Sequence, residues 1–336
     1  EIAIDLETKD PNLNKSMGSG AVVKVGQIVG ISVATKTWSG YYPTAHEGGG
    51  NLDKAMVSKW LQDVLNTSAD KIFHNAMYDV CWLRSEGFTI QGRIIDTMIA
   101  SAIVDENQLR YDLNNCSKRY LNKSKDEAAL YAAAKEWGVD AKAEMYKLPA
   151  MYVGAYAEKD AELTYKLWQE LKKEINHQDI TDIWKMETEL FPCLVEMRFL
   201  GVRVNQEQAE IEKKTLMEHE KKLLTEVKNE TGIEVQIWAA RSIAQVFDKL
   251  KLVYDRTEKT KAPSFTKNFL THHPNPVVKK IAKAREINKA HTTFIDTILK
   301  HTHKGRIFAE INQLRGDNGG TVTGRFSYAN PNLQQI

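Results

Sequence analysis

At 336 residues the chain is long enough for two domains of ordinary size. With 42% hydrophobic and 27% charged residues it has a globular composition, which excludes a disordered or fibrous protein. No apolar run approaches the roughly 18 residues that span a bilayer, and no signal-peptide pattern opens the chain, so the cytoplasm is expected and a membrane is not. Cys81, Cys116 and Cys193 are scattered without metal-ligand spacing, which points to a reducing compartment and to core positions, not to a disulfide or a zinc site. The net charge of +2 is unevenly spread. Residues 1–185 hold 22 Lys and Arg against 26 Asp and Glu, and residues 186–336 hold 24 against 18. An acidic first half and a basic second half fit a metal-binding enzyme joined to a nucleic-acid grip, or simply two unrelated surfaces.

The opening "EIAIDLET" alternates apolar and polar residues and predicts a strand. "VVKVGQIVGISVAT" and "WSGYYPT" predict further strands, giving an antiparallel start. "LDKAMVSKWLQDVLN" has the spacing of an amphipathic helix. "KIFHN" predicts a short strand leading into the helix "AMYDVCWLRSEG", with Gly87 as its C-terminal stop. "RIIDT" and "MIASAIVDE" repeat that strand-to-helix step, and residues 109–175 are mainly helical. The pattern predicts an α/β domain with a mixed sheet. Beyond residue 186 come long, thinly hydrophobic helices of the kind that project from a body, among them "QEQAEIEKKTLMEHEKKLLTEVKNETG". A basic loop, "VYDRTEKTKAPSFTK", interrupts them. The chain begins at Glu1, within a strand, and stops at Ile336 after the loop-like "SYANPNLQQI", so it reads as a fragment of something longer.

Asp5 and Glu7 stand two apart on a strand and therefore share a face. Two carboxylates so close are unfavourable unless a cation neutralises them. Asn75 and Asp79, and likewise Tyr156 and Asp160, are four apart on helices and share a helical face. Oxygen-only ligands suit Mg²⁺ or Mn²⁺, and four converging carboxylates are what two such cations about 4 Å apart require. Each spacing alone is cheap: Asp160-Ala161-Glu162 repeats D-x-E on a helix, and Asn66 and Asp70 repeat N-x-x-x-D. The order and setting carry the signal, with D-x-E ending the first strand, N-x-x-x-D opening a helix after a strand, and Y-x-x-x-D on a later helix.

This ordered set resembles the DEDDy 3′–5′ exonucleases, whose fold is RNase H-like. The resemblance implies that Asp5, Glu7, Asp79 and Asp160 bind two divalent cations, Mg²⁺ or Mn²⁺. Asp5, Glu7 and Asp160 would hold the first, with Asp5 shared and Asp79 acting through the second. Tyr156, a poor base with a reference pKa near 10, would aim the attacking water with help from Glu7. In-line attack would then release nucleoside monophosphates from a DNA 3′ end. Thr8, Asn75 and Tyr78 match positions that contact the terminal nucleotides, although Thr8 would serve equally as a turn cap and Asn75 as a helix cap. Asp96 in "IIDTM" matches a recurrent position better suited to a structural role than to ligation.

The second half narrows the resemblance. "ETELFPCLVEMRFLGVRVN", the stretch through "KTKAPSF" and the closing "TVTGRFSYANPNLQQI" are similar to the thumb and palm approach of family A DNA polymerases of the bacterial DNA polymerase I or phage type. The closing stretch matches the signature T-G-R-[LF]-S-x-x-x-P-N-L-Q-x-I. The resemblance covers essentially the full chain. It implies a 3′–5′ exonuclease domain over 1–180 and a truncated, mainly helical polymerase segment over 181–336. It implies that Arg256, Lys259, Lys261 and Lys267 grip duplex phosphates at the thumb tip and that Arg325 contacts DNA. The expected partners are a single-stranded 3′ end and a primer–template duplex, in a bacterium or a phage-infected host. The tip has no room for a thioredoxin-binding insertion. The family's polymerase carboxylates and fingers helix lie beyond this chain, so proofreading, not nucleotide addition, is the activity expected of it. A free-standing RNase D-like nuclease is the alternative, against which the T-G-R stretch argues. A decayed DNA-binding remnant is another, and the full acidic set argues against that.

Overall fold

The computed structural model describes residues 1–13, 18–317 and 319–335, which leaves Ile336 of the closing signature outside the described residues. The described chain forms two compact units, one of residues 1–202 and 306–336 and the other of residues 203–305.

The first unit is built on strands β1 (Ile2–Lys9), β2 (Gln27–Ala34), β3 (Ser39–Pro43), β4 (Lys71–Phe73) and β5 (Ile94–Asp96). Their order in the sheet is β3-β2-β1-β4-β5. β1, β2 and β3 pair antiparallel, whereas β4 and β5 run parallel to β1. This is the mixed sheet expected of an RNase H-like fold. Part of one expected strand is helical instead: Gly20–Val23 form a single turn, α1, and β2 starts only at Gln27. Asp10 accounts for the difference, because its Oδ1 accepts the backbone N–H groups of Asn12 and Gly20 and bends the chain there.

Helices cover both faces of the sheet. On one side lie α2 (Lys54–Leu65) and α3 (Ala76–Ser85), packed with Ile4, Leu6, Ile28 and Ile31. On the other lie α4 (Thr97–Val104), α5 (Leu113–Leu121) and α7 (Ala150–His177), packed with Ala3, Ile72 and Ile95. Between α5 and α7 runs α6 (Ala128–Trp137). In α7, Val153, Ala157, Asp160, Ala161, Thr164, Leu167 and Leu171 are buried at helical spacing, which fixes its rotation about its own axis. Helix α8 (Thr181–Leu200) adds Phe191, Leu194 and Val195 to the first core. Residues 306–336 return to this same unit: Ile311, Phe326 and Tyr328 pack in that core, and Glu310–Asn312 pair antiparallel with Ser327–Ala329. Cys81 and Cys116 are buried as expected, but Cys193 is exposed, because α8 turns it outward.

The second unit is helical. It comprises α9 (Gln206–Thr231), α10 (Ala240–Lys249), α11 (Lys267–His272) and α12 (Pro276–Lys289), with a π-helical segment over Ala290–Ile295 that continues into Asp296–His301. Only Val227 and Thr231 of α9 are buried, so most of that helix is solvated. Its polar anchor is Glu220, which accepts from Asn288 at 3.0 Å and contacts His291 Nε2 at 2.6 Å. The core centres on Phe247, whose ring meets Tyr254, Phe265, Phe269 and His273. Phe247→Ala should destabilise this unit by about 3–5 kcal/mol. Limited proteolysis of the full chain is then expected to open residues 203–305 first while residues 1–202 stay protected; equal protection of both would contradict this.

Candidate active site

β1 continues beyond β4, which pairs only with Ile2 and Ala3. The edge of β1 at Asp5–Glu7 is therefore open on that side, and a backbone N–H there needs a partner. Asp79 supplies it: its Oδ1 accepts Leu6 N–H at 3.0 Å, which places this carboxylate between Asp5 and Glu7. A β-bulge after Glu7 shifts the register, with Glu7 opposite Gly30 and Thr8 opposite Ile28. Gly30 leaves room for the Tyr41 ring, since a Cβ there would come within 2.0 Å of the Tyr41 hydroxyl.

From the other face, α7 brings Asp160 and, one turn earlier, Tyr156. The site lies in a cleft of about 370 Å³ lined by Asp5, Asn75, Tyr78, Asp96, Lys125 and Asp160, among others. Asp79 and Asp160 are buried, at 3% and 5% exposure, while Asp5, which lines the cleft, and Glu7 keep partial exposure. Burial raises all four carboxyls above their ordinary range; at Asp5, Glu7 and Asp79 neighbouring carboxylates add to it, while at Asp160 the Lys125 ammonium opposes it. For Glu7 the result is about 7. Burial and the neighbouring carboxylates likewise push the Tyr156 hydroxyl upward, so it is protonated at any working pH.

All five residues expected at the site thus converge. Of the three expected to contact terminal nucleotides, Asn75 and Tyr78 line the cleft, and the Tyr78 hydroxyl meets Thr8 Oγ1 at 2.5 Å. Asn75 stands at the start of α3 with a left-handed backbone (φ 66°), but its side chain makes no capping bond. Asp96 has a structural part to play: its carboxylate accepts the backbone N–H groups of Asn75, Ala76 and Met98, tying the starts of α3 and α4 together. Arg325 is exposed in the first unit. Arg256, Lys259, Lys261 and Lys267 are exposed in the second unit. There Arg256 is steadied by the Lys261 carbonyl at 3.0 Å and the Tyr254 hydroxyl at 3.2 Å.

Several residues of the site carry no sequence signal of their own. Lys125 Nζ lies 2.5 Å from Asp160 Oδ2. Lys142 Nζ donates to Glu127 Oε1 at 2.7 Å and to the Tyr156 hydroxyl at 3.2 Å. Tyr41 donates to His46 Nε2 at 2.6 Å, and His46 Nδ1 donates to the Leu148 carbonyl at 2.9 Å, fastening β3 to the approach of α7. His74 bridges Thr97 Oγ1 at 2.8 Å and the Tyr111 carbonyl at 2.9 Å.

Among the described residues, no three His, Cys, Asp or Glu side chains are drawn together as a closed metal cage. The donor set nonetheless fits a hard cation. It consists of carboxylate oxygens alone, and Asp160 Oδ1 is buried with no hydrogen-bond partner. An acceptor stranded in this way is costly unless something binds it.

Burial, reinforced by the nearby Lys125 charge, holds the His74 imidazole down at about 4. A histidine depressed below its unfolded value of about 6.5 contributes stability that is complete above that pH and is lost as the pH falls toward 4. Denaturant titrations between pH 7 and 4 should therefore show a shallower loss of stability for His74→Gln than for the parent, and parallel curves would contradict it.

Comparison with known proteins agrees with this arrangement. The family described as "3'-5' exonuclease" matches residues 1–176, and that described as "DNA polymerase family A" matches residues 206–336. A DNA-directed DNA polymerase of Pseudomonas phage M6 is 33% identical over 99% of this chain and 52% of its own length. DNA polymerase I of Synechocystis is 26% identical over 93% of this chain and 32% of its own length. The POL domain of Pol1 from M. smegmatis, solved in complex with DNA primer-template and dNTP, superposes over the whole chain with a TM-score of 0.71 at 18% identity, and the chain covers 52% of it. The chain spans about half the length of the phage relative and about a third of the bacterial one. It belongs to the family A DNA polymerases that carry a 3′–5′ exonuclease domain.

Proposed function

We propose that the first unit is a two-metal 3′–5′ exonuclease that proofreads for a replicative DNA polymerase, releasing nucleoside monophosphates from single-stranded DNA 3′ ends. The observation that carries this reading is the grouping of Glu7, Asp79 and Tyr156 around Asp5 and Asp160, which line the cleft of an exonuclease-family fold. Asp5, Glu7 and Asp160 would hold one divalent cation and Asp5 and Asp79 a second. Such cations, Mg²⁺ or Mn²⁺, supply hydroxide near neutral pH and stabilise the departing 3′ oxygen.

The chain's own residues do the remaining work. The protonated Tyr156 hydroxyl, held by Lys142, donates to the attacking water and aims it, while Glu7 accepts from the same water. Thr8, Asn75 and Tyr78 would hold the terminal nucleotide. The exposed cations of the second unit, Arg256, Lys259, Lys261 and Lys267, would grip duplex phosphates without regard to sequence, and Arg325 of the closing signature would contact DNA.

Mg²⁺-dependent shortening of a 5′-labelled single-stranded oligonucleotide is expected, with loss to background on chelation and in the Asp5→Ala, Glu7→Ala double variant. Undiminished trimming by the double variant would sink the assignment. Tyr156→Phe should lower kcat by about 10²-fold through misplacement of the water. In duplex binding, Lys259→Ala with Lys261→Ala should flatten the dependence of log K on log salt by roughly one unit for each phosphate no longer neutralised. An unchanged slope would return the basic loop to ordinary solvated surface.

A further inference from the structure

Lys125 lines the cleft and takes no part in the proposed chemistry. It lies in the connection between α5 and α6, and its backbone N–H donates to Asn114 Oδ1 of α5 at 3.1 Å. Its side chain is 11% exposed and ends 2.5 Å from Asp160 Oδ2. The ammonium also stands 5.1 Å from the centre of the Tyr156 ring. Its charge is felt by Asp5, Glu7 and Asp160 together, lowering each of these carboxyls against the upward push of burial. These are the three side chains assigned above to one cation. Lys142 stands 4.9 Å from the centre of the same ring and its charge also reaches Glu7 and Asp160, but it bonds Glu127 and the tyrosine hydroxyl, not a carboxylate of the cluster.

We infer that Lys125 is a resident counter-ion of the nuclease site, whose ammonium fills the cation position beside Asp160 in the metal-free protein and must be displaced when a divalent cation binds. The inference rests on the exonuclease reading and deepens it. Asp160 has one oxygen on Lys125 and the other buried without a partner, so it is half satisfied. A divalent cation that used both would replace a single positive charge by two and relieve the stranded oxygen. The exchange requires no rearrangement of the fold. With the backbone of Lys125 tied to Asn114, rotation of a flexible four-carbon stem is enough to carry the ammonium out. The lysine leaves as it entered, protonated, and any proton still held by the raised carboxyls passes to solvent as the metal binds. Without either cation, four crowded carboxylates would face one another unneutralised, so the lysine also keeps the empty site folded.

The test uses the full chain at pH 8, stripped of metal, with Mn²⁺ alone as titrant in a calorimeter and thermal unfolding followed with and without Mn²⁺. Lys125→Met removes the competitor, and about tenfold or tighter Mn²⁺ binding is expected. The melting temperature of its metal-free form should fall and the rise on adding Mn²⁺ should be larger than in the parent. Lys125→Gln provides the same comparison where the methionine variant folds poorly. Lys125→Arg keeps the charge and should bind Mn²⁺ as the parent does. Lys142→Met should change the affinity far less. Unchanged or weaker Mn²⁺ binding by Lys125→Met and Lys125→Gln would overturn the exchange while leaving the nuclease reading intact, as would an equal effect of Lys142→Met. Absence of Mn²⁺ binding by both parent and variants would overturn the exchange and the nuclease reading together.

Discussion

Four carboxylates in one cleft repel one another, and burial adds to the cost of every charge. Most of the first unit can be understood as the means of holding Asp5, Glu7, Asp79 and Asp160 together against that repulsion. Asp79 is held by a backbone N–H at the unpaired edge of β1. Asp160 is held by its place on the buried stripe of a 28-residue helix and by Lys125. Asp5 and Glu7 sit on a central strand whose flanking residues are among the most buried in the chain.

The supporting interactions come from segments distant in the chain. The Tyr41–His46–Leu148 series fastens the end of β3 to the residues just before α7. Asp96 does the same for α3 and α4 through three backbone N–H groups. Asp317 accepts the backbone N–H of Tyr111, and Gln313 donates to the Glu187 carbonyl at 2.8 Å, so the closing segment of the chain braces the nuclease unit. A segment that carries a polymerase-family signature therefore packs, in this fold, with the exonuclease core.

The second unit is organised differently. Its core is an aromatic cluster around Phe247, and most of α9 is solvated. Among its exposed cations, Arg256 is held by the Lys261 carbonyl and the Tyr254 hydroxyl.

Strand and helix periodicities, set by local geometry, were legible in the order of residues, and with them the mixed sheet and the shared faces of Asp5 with Glu7 and Tyr156 with Asp160. The short motifs and the closing signature carried the family, because chemistry at a metal site demands particular groups at particular spacings. Local pattern failed at Gly20–Val23, where a tertiary bond from Asp10 overrode an apolar run. It also could not reveal Lys125, Lys142 or His46, since an isolated lysine or histidine in a polar stretch has no period and no motif. Their roles arise only when α5, α6 and α7 fold beside β1 and bring charges from positions 5, 79, 125 and 160 to one point. The sequence by itself determined which acidic groups share a face and a motif; the tertiary structure decided how their repulsion is balanced, because electrostatic energy depends on distance through space and not along the chain.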